Sequence, residues 1–325
     1  MFPFRAAFPS PKPAGASGTR RRSGVMATAW GMRRLWVGLA WVLACSTSPP
    51  EAPYPHESVL TVIAELKLHL QQDPYLYAPG RDMEGCNIFR VTLERVDHLK
   101  DLVGPDYADV LDFAQAQCLE RQGRWTDAAG AFEAAARAGT SLRPEALERA
   151  RAAERMAQLL ARPDRAPTLE GYLNKLDIRQ HRLEQWLQED PGYPYGSFAR
   201  AGLEQVQRER ARLLVDHRNV LRDGVGRARQ AIDRLIERHE ASWRICHHFL
   251  LKGRFYETLA LDWVAQNPPE GATFLAGETF DQLMDRARGA YRHVARADGN
   301  PAKPEGRARL RALEAFALRM RERAR

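Results

Sequence analysis

The sequence predicts an all-α fold: a helical-hairpin array with one long central helix and no β-sheet. Three observations predict it. Apolar residues recur at three- and four-residue spacings through most of the chain, the period of a helix with one buried face. Proline and glycine fall mostly between those stretches, as at Gly104-Pro105, Pro191-Gly192 and Pro268-Pro269. No run alternates Val, Ile, Thr and aromatic residues between turns, so no strand pattern competes. With 44% hydrophobic and 28% charged residues, the 325-residue chain can bury a core and still coat long exposed helix faces.

The stripes predict helices over 57–72, 83–103, 106–122, 126–138, 144–162, 167–189, 197–251, 254–267, 279–297 and 305–323. Pro74, Pro79 and Gly80 separate the first two. Ser141 to Pro144 reads as a cap followed by proline in the first turn. Thr279 and Gln282 have capping-box spacing. As one helix, 197–251 would span about 80 Å. Val206, Leu213 and Val220 are spaced by sevens, a coiled-coil stripe, while Gly224 and Gly226 mark a kink or break inside it. Its expected neighbour is 167–189, with the apolar face Leu169, Tyr172, Leu176, Leu183 and Leu187. The pair could project as a contact arm or serve equally as a plain core element.

The amino-terminal region has a different grammar. Residues 1–25 are rich in Pro, Arg, Ser and Gly and lack periodicity, so disorder is expected there. From Met32 the chain reads MRRLWVGLAWVLAC. Arg33 and Arg34 precede an apolar run from Leu35 to Ala44, which would rise only about 15 Å as a helix, half a bilayer core. That is the build of an export signal rather than a spanning helix. Val42-Leu43-Ala44-Cys45 resembles the lipobox of bacterial lipoproteins. The resemblance implies cleavage before Cys45, a diacylglyceryl thioether on its sulfur and an acylated new amino terminus. Ser46 implies sorting to the outer membrane in this family. Several acyl chains anchor stably where one does not. Residues 46–56, STSPPEAPYPH, read as a tether.

Within the body, 107–138 reads YADVLDFAQAQCLERQGRWTDAAGAFEAAARA and resembles a tetratricopeptide repeat. The resemblance places Ala116 and Leu119 on the first helix, Gly123 in the turn, Trp125 beneath it, and Ala128, Phe132 and Ala135 on the inner face of the second helix. Small residues let neighbouring helices approach, and the aromatic fills the groove between them. A weaker match at 250–269 uses Gly253, Phe255 and Ala265, and a partial echo uses Ala287, Tyr291 and Val294. A clear tandem period is missing, so the expectation is repeat-like pairs rather than a regular solenoid. The domains expected are a leader with lipoprotein signal (1–45), a tether (46–56), a tetratricopeptide-like domain (57–162) and a helical domain with the long central helix and repeat-like carboxy-terminal pairs (163–325).

Charge narrows the roles. Of 49 basic residues, seven lie in 1–45, where there is no acidic residue, so 42 remain against 41 acidic ones. The formal +8 therefore belongs to the leader, and the body lacks the footprint of a nucleic-acid binder. From Arg286 to Arg325 there are twelve basic and four acidic residues, read as a solvated helix face that could also meet anionic headgroups. Cys86, Cys118 and Cys246 are left once Cys45 is acylated, an odd number that argues against a disulfide framework, with Cys86 and Cys118 read as small buried residues.

Chemistry-bearing patterns are sparse. Cys246-His247-His248, with His239 nearby, is the densest ligand cluster, but adjacent helical residues point about 100° apart and cannot face one ion together. Neither GxSxG nor a Walker loop occurs. Glu94, Glu120, Glu133 and Glu184 sit in helical patterns read as exposed. Tyr75 and Tyr77 in DPYLYAPG, and Tyr193 and Tyr195 in DPGYPYG, are the preferred partner surface, as rigid tyrosines among prolines. The expectation is a non-enzymatic, membrane-anchored scaffold in the cell envelope that binds a protein partner. It is expected to use no cofactor, metal, nucleic acid or small-molecule substrate. A structural lipoprotein that contacts peptidoglycan or lipid, or a cell-wall-acting enzyme, are the alternatives.

Overall fold

The computed structural model describes residues 58–164, 166–189, 191–271, 274 and 279–324. Cys45, the export-signal pattern and the 46–56 tether lie outside the described residues. The chain divides into Met1–Pro55 and His56–Arg325, and the helices described below all belong to the second unit.

That unit is all-helical. In chain order it contains α1 (Val59–Leu70), α2 (Ile88–Val103), a 3-10 turn (Gly104–Tyr107), α3 (Ala108–Arg121), α4 (Trp125–Arg137), α5 (Arg143–Leu160) and α6 (Leu169–Gln188). It continues with α7 (Tyr195–Asp216), α8 (Gly224–Arg238), α9 (Ile245–Gln266), α10 (Thr279–Arg296) and α11 (Lys303–Arg323). Among the described residues there is no strand, only an isolated bridge between Arg81 and Asn87. No helix among them is long and apolar enough to cross a membrane. Among the described residues side chains cap three starts: Ser58 accepts from Thr61 N–H, Asn87 from Phe89 N–H and Thr168 from Gly171 N–H.

Packing is mostly between chain neighbours. α3 packs on α4, α4 on α5, α6 on α7, α7 on α8, and α10 on both α9 and α11, whereas α5 and α6 barely touch. Two apolar clusters form the core. One draws on α1 to α7, with Val62, Leu66, Leu111, Met156, Leu183 and Val206. The other draws on α6 to α11, with Leu214, Ile232, Phe255, Met284, Tyr291 and Leu313. α6 and α7 feed both, so the expected packing of 167–189 on the next helix is found.

The long central helix is not found. The stretch 197–251 is divided among α7, α8 and the first turns of α9. The first break has a steric cause. Asp223 is left-handed at φ 50°, and a Cβ on Gly224 would lie 2.1 Å from the Arg218 carbonyl oxygen. The backbone thus folds onto itself at a spacing that only glycine permits. The heptad stripe ends there too: Val206 is buried, but Val220 is 82% exposed. The second break, at 239–244, is held by the polar network described below. Conversely, no break occurs at Gly253. α9 runs through it, because the missing side chain admits the Tyr291 ring, which a Cβ would meet at 2.3 Å. Gly253 is therefore a contact glycine rather than a turn glycine. Ala265, matched with it in the sequence, is exposed.

Candidate functional site

The weak contact between α5 and α6 leaves a groove. Its larger end, a cavity of about 440 Å³, is walled by α5 through Glu145, Arg149 and Arg155, floored by Trp186 of α6, and closed by Tyr193 and Tyr195. A second cavity of about 330 Å³ shares Arg155, Trp186 and Glu189 and extends the groove to Gln158 and Arg182. Pro144 in the first turn starts α5, and Gly192 at φ 69° with a cis Tyr193–Pro194 peptide turns the chain from α6 into α7. The groove volume falls in the range of ordinary ligand clefts.

One buried acid lies behind this wall. Glu120 is 2% exposed. Tyr195 O–H donates to its Oε1, and Arg149 Nη1 stands 3.7 Å from its Oε2. Burial pushes the Glu120 carboxyl up to about 7, against the Tyr195 hydrogen bond and the charges of Arg149 and Arg121. Burial and Glu120 in turn push the Tyr195 phenol up. Arg149 lies over the Phe113 ring at 5.4 Å and the Phe132 ring at 6.0 Å. The sequence reading of Glu120 as exposed is thus corrected. α3 is enclosed on several sides, and Cys118, Leu119 and Glu120 are buried in succession.

A second buried acid, Glu204, sits where α7 meets the start of α9. Its Oε1 accepts from Ser242 Oγ at 2.6 Å and from His248 Nε2 at 2.6 Å, and Arg244 Nη1 reaches Oε2 at 3.3 Å. Burial pushes its carboxyl up, but the hydrogen bonds from His248 and Ser242 and the charges of His248 and Arg244 outweigh that, so it titrates below the usual carboxylate value. His239 continues the network. Its Nε2–H donates to Gln207 Oε1 at 2.8 Å, leaving Nδ1 to accept from Tyr75 O–H at 2.9 Å. Burial drives His239 down to about 4, so the ring is neutral. Ser242 and His248 both spend their protons on one carboxylate oxygen, so they do not form a nucleophile–base pair.

Cys246, His247 and His248 diverge: Cys246 enters the apolar core, His248 meets Glu204, and His247 lies edge-on to Trp243. No group of three or more His, Cys, Asp or Glu among the described residues is placed to hold a metal. Cys86, Cys118 and Cys246 are free thiols, and burial pushes Cys118 up to about 12.

The sequence-predicted packing residues come together. Ala116, Phe132 and Ala150 form one small cluster, and Ala135 joins Ala136 and Ala146 in another. Leu119, Trp125 and Ala128 enter the first large cluster, where Trp125 meets Phe198 edge-on at 4.7 Å. Gly123 takes φ 74° in the turn. The tyrosine surface needs correcting. Tyr77 and Tyr193 are 60% and 56% exposed, but Tyr75 and Tyr195 are each 7% exposed, because their hydroxyls are drawn inward by His239 and Glu120. Tyr193 also has an inward role. Its O–H and Arg121 Nη2 both donate to the Leu70 carbonyl, and Arg121 Nη1 donates to Gln72 O at 2.7 Å, securing the end of α1. Sequence reasoning missed Arg149, Trp186 and Glu204. The one available sign was Trp186 on the apolar face of 167–189.

Comparison of the chain with protein-family models, with curated proteins and with solved structures finds no match. What the fold and site define is a class: an all-α helical array with an open, mixed aromatic and charged groove.

Proposed function

We propose that this chain is a membrane-anchored helical scaffold of the bacterial cell envelope and that it holds a protein partner in the α5–α6 groove. The groove itself carries the reading: an open surface between two helices, with exposed Tyr193 and charged Arg155, Glu189 and Arg182 around the Trp186 ring. Aromatic and arginine side chains are enriched where proteins bind each other. The tetratricopeptide-like pattern supports the same reading, since such arrays bind peptides or subunits. Anchoring is assigned to Cys45 from its lipobox resemblance, with the outer membrane as destination.

The test is a crosslinking pull-down from membranes, comparing wild type with Arg155→Glu combined with Arg182→Glu. Both side chains are exposed, so folding should survive. A stoichiometric partner that the double variant loses is expected. Equal recovery by the variant moves the site elsewhere, and no stoichiometric partner across growth conditions removes the scaffold reading. Cys45→Ser should leave the membrane fraction and lack acyl mass; continued membrane association would overturn the anchor.

One observation favours a second reading, a contact with anionic envelope surfaces. Arg311 and Arg319 on α11 are exposed and form no ion pair among the described residues, and Arg307, also exposed, meets only the charge of Asp298. Their replacement by Gln should then abolish a salt-sensitive association.

A further inference from the structure

Arg149 stands between the groove and the buried carboxylate of Glu120. Its guanidinium lies over Phe113 and Phe132, and the side chain as a whole is 24% exposed. Two acids of this chain compete for it. Nε donates to Glu145 at 3.0 Å, while Glu120 is held only as a looser ion pair at 3.7 Å. A guanidinium has five N–H donors, so Arg149 retains capacity for a planar acceptor arriving from the groove. The charges along the groove favour an acidic arrival. Glu145 is paired with Arg149 and Glu189 with Arg155; of the remaining charges Arg151 and Arg182 outnumber Glu148, so the lining of four arginines and three glutamates carries one excess positive charge.

We propose that the groove receives an acidic segment of the partner on Arg149, and that proton uptake by Glu120 strengthens this capture. The inference rests on the scaffold reading and specifies the chemistry and regulation of its site. With Glu120 ionised, part of the Arg149 charge is already answered from behind. With Glu120 protonated, only Glu145 answers it, and an incoming carboxylate gains a partner. The groups that face Glu120 are Tyr195 from α7, Arg149 from α5, with Glu148 acting on Tyr195 from the same helix, and Arg121 from α3 itself. Burial and Glu120 itself push the Tyr195 phenol up, so Tyr195 stays a neutral donor near neutrality. Burial places the Glu120 titration at about 7, so the exchange falls where small changes of envelope pH count. Linkage requires the reciprocal effect: a bound carboxylate raises the affinity of Glu120 for its proton.

The probe is a short, fluorescently labelled, end-blocked peptide of alternating Ala and Glu, with its Ala–Gln counterpart as control. Fluorescence anisotropy on the full chain is read at about pH 6 and about pH 8, where the peptide's own acids remain ionised. The Glu peptide should bind roughly tenfold more tightly at the lower pH, matching the change in the protonated fraction of Glu120. The Gln peptide should not bind. Arg149→Gln should abolish binding, and Glu120→Gln should fix the tighter affinity at both pH values. Because Glu120 is buried, Glu145→Gln at an exposed position gives an independent readout: binding tightens at both pH values and stays pH-dependent. Equal affinity at the two pH values, persistence of the pH effect in Glu120→Gln, or undiminished binding by Arg149→Gln would each overturn the inference. If the Glu peptide fails while the pull-down partner is still lost on reversing Arg155 and Arg182, the acidic-segment inference falls and the scaffold stands. If no partner is recovered at all, the scaffold itself falls.

Discussion

Glu120 on α3 and Glu204 on α7 are both sealed from solvent, at 2% and 0% exposure, yet they titrate in opposite directions. Burial opposes charge at both sites. At Glu204 three donors converge, two of them at 2.6 Å. At Glu120 one hydroxyl donates and the guanidinium stands off at 3.7 Å. The lesson is that burial alone does not decide the charge of an acid; the number and closeness of its donors do. Glu204 behaves as a fixed anion that joins α7 to the start of α9. Glu120 behaves as an acid poised to exchange its proton.

The largest effect expected is from Glu204→Ala. It strands Ser242, His248 and Arg244 around a buried hole, and removing one member of a buried ionic network typically costs about 3–5 kcal/mol. Urea unfolding followed by circular dichroism measures it, and a loss below about 1 kcal/mol would mean the network is decorative.

Next in size are the opposed pH dependences. The folded-state value of Glu120 lies above the ordinary 4.5 at about 7, so its contribution is fully present below about pH 4.5 and is withdrawn as pH rises through about 7, by about 3 kcal/mol. For Glu204 the folded-state value is lowered, so its contribution is present above the ordinary 4.5 and is lost as pH falls through the folded-state value. Thermal melts across this range should show Glu120→Gln flattening only the upper slope. A variant that flattened the acid side instead would reverse the assignments.

Tyr195→Phe comes third. It removes the one hydroxyl donor to Glu120, should raise the Glu120 midpoint further, and should cost about 1–2 kcal/mol. A carbon-13 titration of labelled Glu side chains reads both. An unmoved or lowered midpoint would show that the hydrogen bond does not hold the charge. The smallest effect belongs to Tyr75→Phe, which leaves neutral His239 its bond to Gln207 and should cost about 1 kcal/mol. Hydrogen exchange in the 239–244 segment should rise locally, with little change elsewhere.

Much of the helix order was legible, because proline and glycine punctuate the chain and helical stripes have a plain period. The α3–α4 pair was legible to within two residues at each end, and close helix packing explains the buried small side chains at Ala116, Ala128 and Ala135. Of the two breaks in 197–251, Gly224 and Gly226 announced the first, though not the close approach of Gly224 to the Arg218 carbonyl that requires a glycine there. The second, at 239–244, contains neither proline nor glycine and was not legible. The buried acids were hidden for a related reason. Glu120 and Glu204 acquire their burial from helices distant in sequence, and Tyr195 is 75 positions away from Glu120. The groove was half visible: its tyrosine loop stood out, but the arginines of α5 look like any charged helix face until α6 fails to cover them.

The clasp on the end of α1 has a consequence for the order of assembly. The Leu70 carbonyl is met by Tyr193, 123 positions later, and by Arg121, 51 positions later. A chain made from its amino terminus at about 5–20 residues per second must wait roughly 6–25 s between presenting that carbonyl and supplying the Tyr193 hydroxyl. Through that interval the first helix has its own turns but not its final fastening. Among the described helices α1 is therefore the first to be made and among the last to be locked, so a chain stalled before the α6–α7 turn would leave α1 without the Tyr193 half of its clasp.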